Sequence, residues 1–129
     1  MTLDKPLVLL IEDEALLALA LEAELIDAGY DVLLALDGRD ASAHIEKDAV
    51  RFACVVTDIR LPGLDGWAIA KRARELVPSL PLVYMSGDSA PDWSSLGVRG
   101  SIMLTKPFAI AQLTTAVAQV RNSVAPPAS

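Results

Sequence analysis

Five short apolar runs, each ending at a polar or charged residue and separated by helix-forming stretches, set the strongest limit on how this chain folds. Leu7-Val8-Leu9-Leu10-Ile11 shows no polar alternation, so it reads as a strand buried on both faces. Phe52 to Thr57 and Leu82-Val83-Tyr84-Met85 have the same character. Tyr30 to Leu36 and Gly100 to Leu104 complete the set of predicted strands.

Between the strands the period changes to that of a helix. From Glu14 to Ala28, Leu17, Leu21 and Leu25 recur every fourth residue, and Gly29 is a natural stop. Asp40 to Ala49 carries Ala41, Ile45 and Ala49 at the same spacing. Asp65-Gly66 opens a third helix with Ile69, Ala73 and Leu76 inward and Lys71, Arg72 and Arg74 outward. Ala109 to Asn122 forms the last, with a stripe of Leu113, Ala116, Val117 and Val120. The segment Asp88 to Arg99 holds Pro91 and Gly97 and predicts a short or irregular helix. This β-α alternation predicts an α/β fold: a doubly wound parallel five-stranded sheet with helices on both faces, in three layers.

Composition excludes several classes. At 129 residues the chain forms one domain, expected over residues 1–123, with a flexible tail over residues 124–129 that contains Pro126-Pro127. Hydrophobic residues at 53% and charged residues at 22% exclude a disordered chain. A net charge of −6 argues against nucleic acid and against an anionic membrane surface as partners. The longest apolar stretch, Ala15 to Leu21, falls far short of the ~20 residues of a membrane span. No secretory signal is visible, which predicts a cytoplasmic protein. The lone Cys54 lies in the run Phe52 to Val56 and reads as a small buried hydrophobe.

The chemistry sits at strand ends. Glu12 and Asp13 follow the first strand, Asp58 the third, Ser86 the fourth and Lys106 the fifth. In open parallel sheets the carboxyl edge is where ligands bind. Taken singly, each is an ordinary loop or cap residue: Asp13 or Glu14 reads equally well as a cap of the first helix, and Lys106 as a solvated lysine. Together, three carboxylates at one small site need a compensating cation, and an all-oxygen site suits Mg²⁺ best. Lys106 adds a mobile positive charge and Ser86 a hydroxyl donor. A metal, a lysine and a hydroxyl around a carboxylate stabilise phosphoryl oxygens while that carboxylate attacks phosphorus. No Gly-x-Gly-x-x-Gly or phosphate-loop motif points to a nucleotide-binding enzyme instead, and the acids after the first strand are not an Asp-x-Asp pair.

Four segments carry a resemblance: Ile11-Glu12-Asp13-Glu14, Thr57-Asp58-Ile59-Arg60-Leu61-Pro62-Gly63-Leu64-Asp65-Gly66, Met85-Ser86-Gly87 and Lys106-Pro107-Phe108. With their spacing, the chain resembles the receiver domain of two-component response regulators from Leu7 to about Val120, in the stand-alone chemotaxis-type form. The resemblance implies a flavodoxin-like strand order 2-1-3-4-5 and a signalling switch, not an enzyme acting on a separate substrate. It implies that Asp58 is the phosphoacceptor. Mg²⁺, or Mn²⁺ in its place, would be held by Asp13, Asp58 and the backbone carbonyl of Arg60, with Glu12 acting through a water. Lys106 and Ser86 would bond the phosphoryl group, and the Lys106–Pro107 peptide would be cis. The implied partners are a sensor histidine kinase or histidine phosphotransfer protein and an unidentified downstream protein. A phosphate sink or shuttle, or a receiver cut from a larger regulator or hybrid kinase, is the alternative.

Two departures bear on output. The family often has Tyr or Phe three residues before the lysine, where this chain has Met103, and the fourth helix is curtailed. Arg60 and Asp88 lie two residues after Asp58 and Ser86, and are expected to rim the site and pair.

Overall fold

The computed structural model describes residues 4–123. In chain order the elements are β1 (Leu7–Ile11), α1 (Ala15–Asp27), β2 (Asp31–Ala35), α2 (Gly38–Asp48) and β3 (Cys54–Asp58), then α3 (Gly66–Leu76), β4 (Leu82–Ser86), α4 (Trp93–Leu96), β5 (Ile102–Thr105) and α5 (Ile110–Ser123). The strands form one sheet in the order β2-β1-β3-β4-β5, and every pairing is parallel. The expected tail over residues 124–129 lies outside the described residues.

Strand alternation divides the core in two. Val8, Leu10, Cys54, Val56, Val83 and Met85 point to the face covered by α1 and α5, where they meet Leu21, Leu25, Leu113 and Val117. Leu9, Ile11, Val55, Leu82 and Tyr84 point to the face covered by α2 and α3, against Ile45, Ile69 and Ala73. Burial on both faces is why these strands read as continuous apolar runs. Cys54 is fully buried, and burial pushes its thiol up to about 12, as suits a packing residue.

Local chemistry sets the element ends. Asp37 caps α2 by accepting from the Asp40 N–H at 2.8 Å, so the helix begins at Gly38, earlier than its apolar spacing indicates. Asp65 caps α3 by accepting from the Ala68 N–H at 2.9 Å. The expected β5 loses its first two residues because Gly100 has φ +73°, a left-handed turn that no strand continues through. β3 starts at Cys54 because the preceding residues Ala49–Arg51 form a 3₁₀ turn closed by Phe52, and it extends to take in Asp58.

The segment between β4 and β5 holds a 3₁₀ turn, Ala90–Asp92, and the four-residue α4. The Trp93 ring lies over Gly97 so closely that a Cβ there would collide with it. Trp93 is 38% exposed and its indole N–H donates to Ser101 Oγ at 2.9 Å, so the residue is part of a small polar clasp and not of the core.

Candidate functional site

Parallel pairing puts the carboxyl ends of β1, β3, β4 and β5 side by side, and the residues at those ends meet. Glu12, Asp13, Asp58, Arg60, Ser86, Asp88 and Lys106 line one cavity of about 140 Å³. All seven residues expected in the site or at its rim line this cavity. Asp58 is the last residue of β3 and Ser86 the last of β4. Lys106 follows β5 in a cis peptide with Pro107.

Lys106 Nζ bridges two carboxylates. It lies 2.8 Å from Glu12 Oε1 and 2.6 Å from Asp58 Oδ1. The other Glu12 oxygen accepts from the Glu14 N–H at 3.0 Å, which occupies the start of α1 that Asp13 or Glu14 could have capped. Glu12 is thus buried with both oxygens already bonded by the protein, whereas Asp13 is exposed.

The electrostatics follow from burial. Burial pushes the Asp58 carboxyl up to about 8, the neighbouring Glu12 carboxylate adds to the rise, and Lys106 opposes it. Burial acts on Glu12 in the same sense, but hydrogen bonds from Asp58, Lys106 and the Glu14 N–H outweigh it and hold this carboxyl below its ordinary value. Burial disfavours the charged Lys106, yet its two carboxylate partners hold its pKa above the ordinary lysine value. Two buried carboxylates thus share one lysine, and burial together with the Glu12 charge disfavours the ionised form of Asp58.

Carboxylate oxygens of Glu12, Asp13 and Asp58 lie within 4.8 Å of one another. With all three ionised and Lys106 the only cation bonded to them among the described residues, the cluster has a surplus of two negative charges. An all-oxygen donor set with that surplus fits a small divalent cation.

At the mouth, Arg60 Nη2 and Asp88 Oδ2 form an ion pair at 2.7 Å between largely exposed side chains. Ser86 Oγ accepts from the Ser89 N–H at 2.7 Å and the Asp88 N–H at 3.2 Å, and lies 3.5 Å from Asp88 Oδ1. The rim pair was legible from the two offsets. The grip of Asp88 on the Ser86 side chain was not, although Ser-Gly-Asp-Ser is the kind of sequence that folds back onto its own hydroxyl.

A family model described as the response regulator receiver domain matches residues 8–118. The transcriptional regulatory protein DltR of Streptococcus agalactiae is 34% identical over 102 residues, which cover 78% of this chain and 45% of that protein. The chain spans about half the length of the curated relatives it matches. A response regulator receiver protein from Sinorhizobium medicae superposes with a TM-score of 0.90 at 44% identity, covering 96% of this chain and 100% of that one. The receiver domain of the sensor histidine kinase PA1611 from Pseudomonas aeruginosa, solved with a magnesium ion coordinated in its active site cleft, superposes with a TM-score of 0.79 at 26% identity, covering 94% of this chain and 100% of that one.

Proposed function

Because the chain belongs to the family of response regulator receiver domains, we propose that it is a phosphorylatable switch of a two-component system. In this reading a histidine kinase or histidine phosphotransfer protein delivers a phosphoryl group to Asp58, and the protein contacts of the chain change in response. The observation that carries it is the placement of Lys106 Nζ 2.6 Å from Asp58 Oδ1 at a sheet edge that also holds Glu12, Asp13 and Ser86.

The Asp58 carboxylate attacks phosphorus, the bond from phosphorus to the donor's imidazole nitrogen breaks, and an acyl phosphate forms. Lys106 neutralises charge on the phosphoryl oxygens, and the Ser86 hydroxyl donates one hydrogen bond to them. Asp13, Asp58 and the Arg60 carbonyl would hold Mg²⁺, with Glu12 acting through water. When bound, Mg²⁺ offsets the surplus negative charge and polarises the phosphoryl oxygens. The chain has no separate substrate in this scheme and promotes only its own phosphorylation and dephosphorylation, in the cytoplasm.

A surface beside the site supports docking of a helical phosphodonor. Leu16, Leu19 and Ile26 on α1 are 80%, 56% and 49% exposed. With Ala23, also exposed, they follow the i, i+3, i+7, i+10 spacing of a helix–helix seam. The seam starts one turn from Asp13. α1 carries Glu22, Glu24 and Asp27 and no Lys or Arg, so it complements an apolar helix with a basic rim.

The test is incubation with acetyl phosphate and Mg²⁺, read as intact mass. One added phosphoryl group, absent in Asp58→Asn and absent without Mg²⁺, is the expected result. Undiminished labelling of the Asn variant overturns the assignment. Among the described residues, α4 is a single turn, which favours as a second reading a phosphate sink that lacks an output surface there.

A further inference from the structure

Asp88 engages the hydroxyl that a phosphoryl group on Asp58 would need. Its Oδ2 pairs with Arg60 Nη2 at 2.7 Å, and its Oδ1 accepts from Ser89 Oγ at 3.1 Å and faces Ser86 Oγ at 3.5 Å. Ser86 Oγ already accepts two backbone N–H bonds, from Asp88 and Ser89. Its single proton is what remains to give, and a hydroxyl gives one proton to one main acceptor. That proton serves either Asp88 or the phosphoryl group. The two acceptors are also both anionic and face the same cavity, so a phosphoryl dianion at Asp58 repels the Asp88 carboxylate.

The rest of the loop is fastened differently. At the far end, the Val98 N–H donates to the hydroxyl of fully buried Tyr84 at 3.0 Å. Tyr84 stands two residues before Ser86 on β4, packs its ring 4.8 Å from that of Trp67, and pairs with Met103 on β5. Ser101 Oγ then links the Trp93 indole to the Val98 carbonyl. The loop from Gly87 to Val98 therefore hangs between a core anchor at one end and the Ser86–Asp88 turn at the other. The backbone of this turn is held by the Ser89 N–H at 2.7 Å and the Asp88 N–H at 3.2 Å, whereas the part held by the Asp88 carboxylate is weak: its contact with Ser86 Oγ is long and its Arg60 pair is exposed.

We propose that Asp88 is a resting-state latch that competes with the phosphoryl group for the Ser86 hydroxyl, steadied by its pair with Arg60. Phosphorylation of Asp58 displaces it and frees the near end of the loop, residues 87–96, while the Tyr84–Val98 anchor stays. Asp88 is a positioning residue in this scheme: it acts through Ser86. The inference rests on the phosphoacceptor reading of Asp58.

The probe is beryllofluoride with Mg²⁺, titrated in a Trp67→Phe background so that Trp93 alone reports by fluorescence. Asp88→Ala is expected to lower the half-saturating concentration by about 3- to 10-fold, the scale of one weak hydrogen bond plus an exposed pair. Simple removal of a negative charge predicts a similar gain, so the decisive arm is Ser86→Ala. The latch requires the gain from Asp88→Ala to vanish in that background, whereas a pure charge effect persists. Hydrogen exchange gives an independent readout: without beryllofluoride, Asp88→Ala should exchange faster over residues 87–96 with the Val98 amide unchanged. Equal affinity for Asp88→Ala and the parent, or equal gain with and without Ser86, overturns the latch and leaves the Asp58 reading intact. If the parent itself binds no beryllofluoride, the Asp58 reading fails and the latch with it.

Discussion

Lys106 Nζ lies 2.8 Å from Glu12 Oε1 across 94 residues of chain. The same ammonium group is 2.6 Å from Asp58 Oδ1, so one side chain ties the ends of β1, β3 and β5 together. Lys106→Ala leaves two buried carboxylates without their cation. It should slow labelling by acetyl phosphate about 10-fold or more, the scale of one charge-assisted bond. It should also cost about 1–3 kcal/mol of stability when Mg²⁺ is absent, measured by urea unfolding. Normal labelling and stability would reduce Lys106 to a loop residue.

Stability of the metal-free protein should depend on pH through Asp58. Its folded pKa is raised from 3.8 to about 8, so its contribution is fully present below the unfolded value and is lost as pH rises through the folded one. Glu12 works in the opposite sense, its folded pKa being below 4.5, and its contribution is lost only at lower pH. Between pH 5 and pH 8 the Asp58 effect dominates, and unfolding free energy should fall by roughly 1–3 kcal/mol. Asp58→Asn should flatten that slope and be the more stable protein at pH 8. A parent whose stability rises over this range contradicts the burial argument.

Gly66 opens α3 where the chain doubles back onto β3. Its N–H donates to the Ile59 carbonyl at 2.7 Å, and a Cβ at Gly66 would collide with the Asp58 carbonyl oxygen. Both neighbours are backbone and cannot step aside. Gly66→Ala should cost roughly 1–3 kcal/mol and slow acetyl phosphate labelling, because relief requires moving Asp58 itself. Chemical denaturation together with intact-mass kinetics checks both parts.

Leu16 on α1 is 80% exposed and makes no contribution to the core. Leu16→Glu should leave stability within about 0.5 kcal/mol and acetyl phosphate labelling unchanged. Transfer from a phosphorylated histidine kinase should fall at least several-fold. Loss of both reactions would show that the substitution damages the fold, and loss of neither would remove α1 from the docking surface.

Arg60 sits at the rim in an exposed pair with Asp88 that the latch model opens on phosphorylation, so its guanidinium can then change dephosphorylation only as an exposed charge worth about 0–1 kcal/mol, a few-fold effect. Arg60→Ala should speed loss of the phosphoryl group within that limit, followed as decay of the phosphorylated mass. A larger acceleration means that the guanidinium shields the bond from water, and an unchanged rate means that the rim does not gate access.

The local sequence settled which segments are strands and which are helices, because burial on both faces gives runs such as Leu7 to Ile11 that no other element explains. It also placed Glu12, Asp13, Asp58, Ser86 and Lys106 at strand ends, and parallel pairing brings them to one cavity. Element ends needed side-chain geometry, as where Asp37 starts α2 early and the left-handed Gly100 delays β5. The tertiary structure supplied the physical surroundings of the two acids. Nothing in Glu12-Asp13 says which of the two is buried beside Lys106 and which faces solvent, since that depends on where α1 leaves the sheet and which amide it offers. It also decided that Asp88 turns back on Ser86 and that Tyr84 holds Val98 across 14 residues. The first is a local turn that its sequence permits without requiring, and the second joins positions 14 residues apart, so the packed sheet selects both.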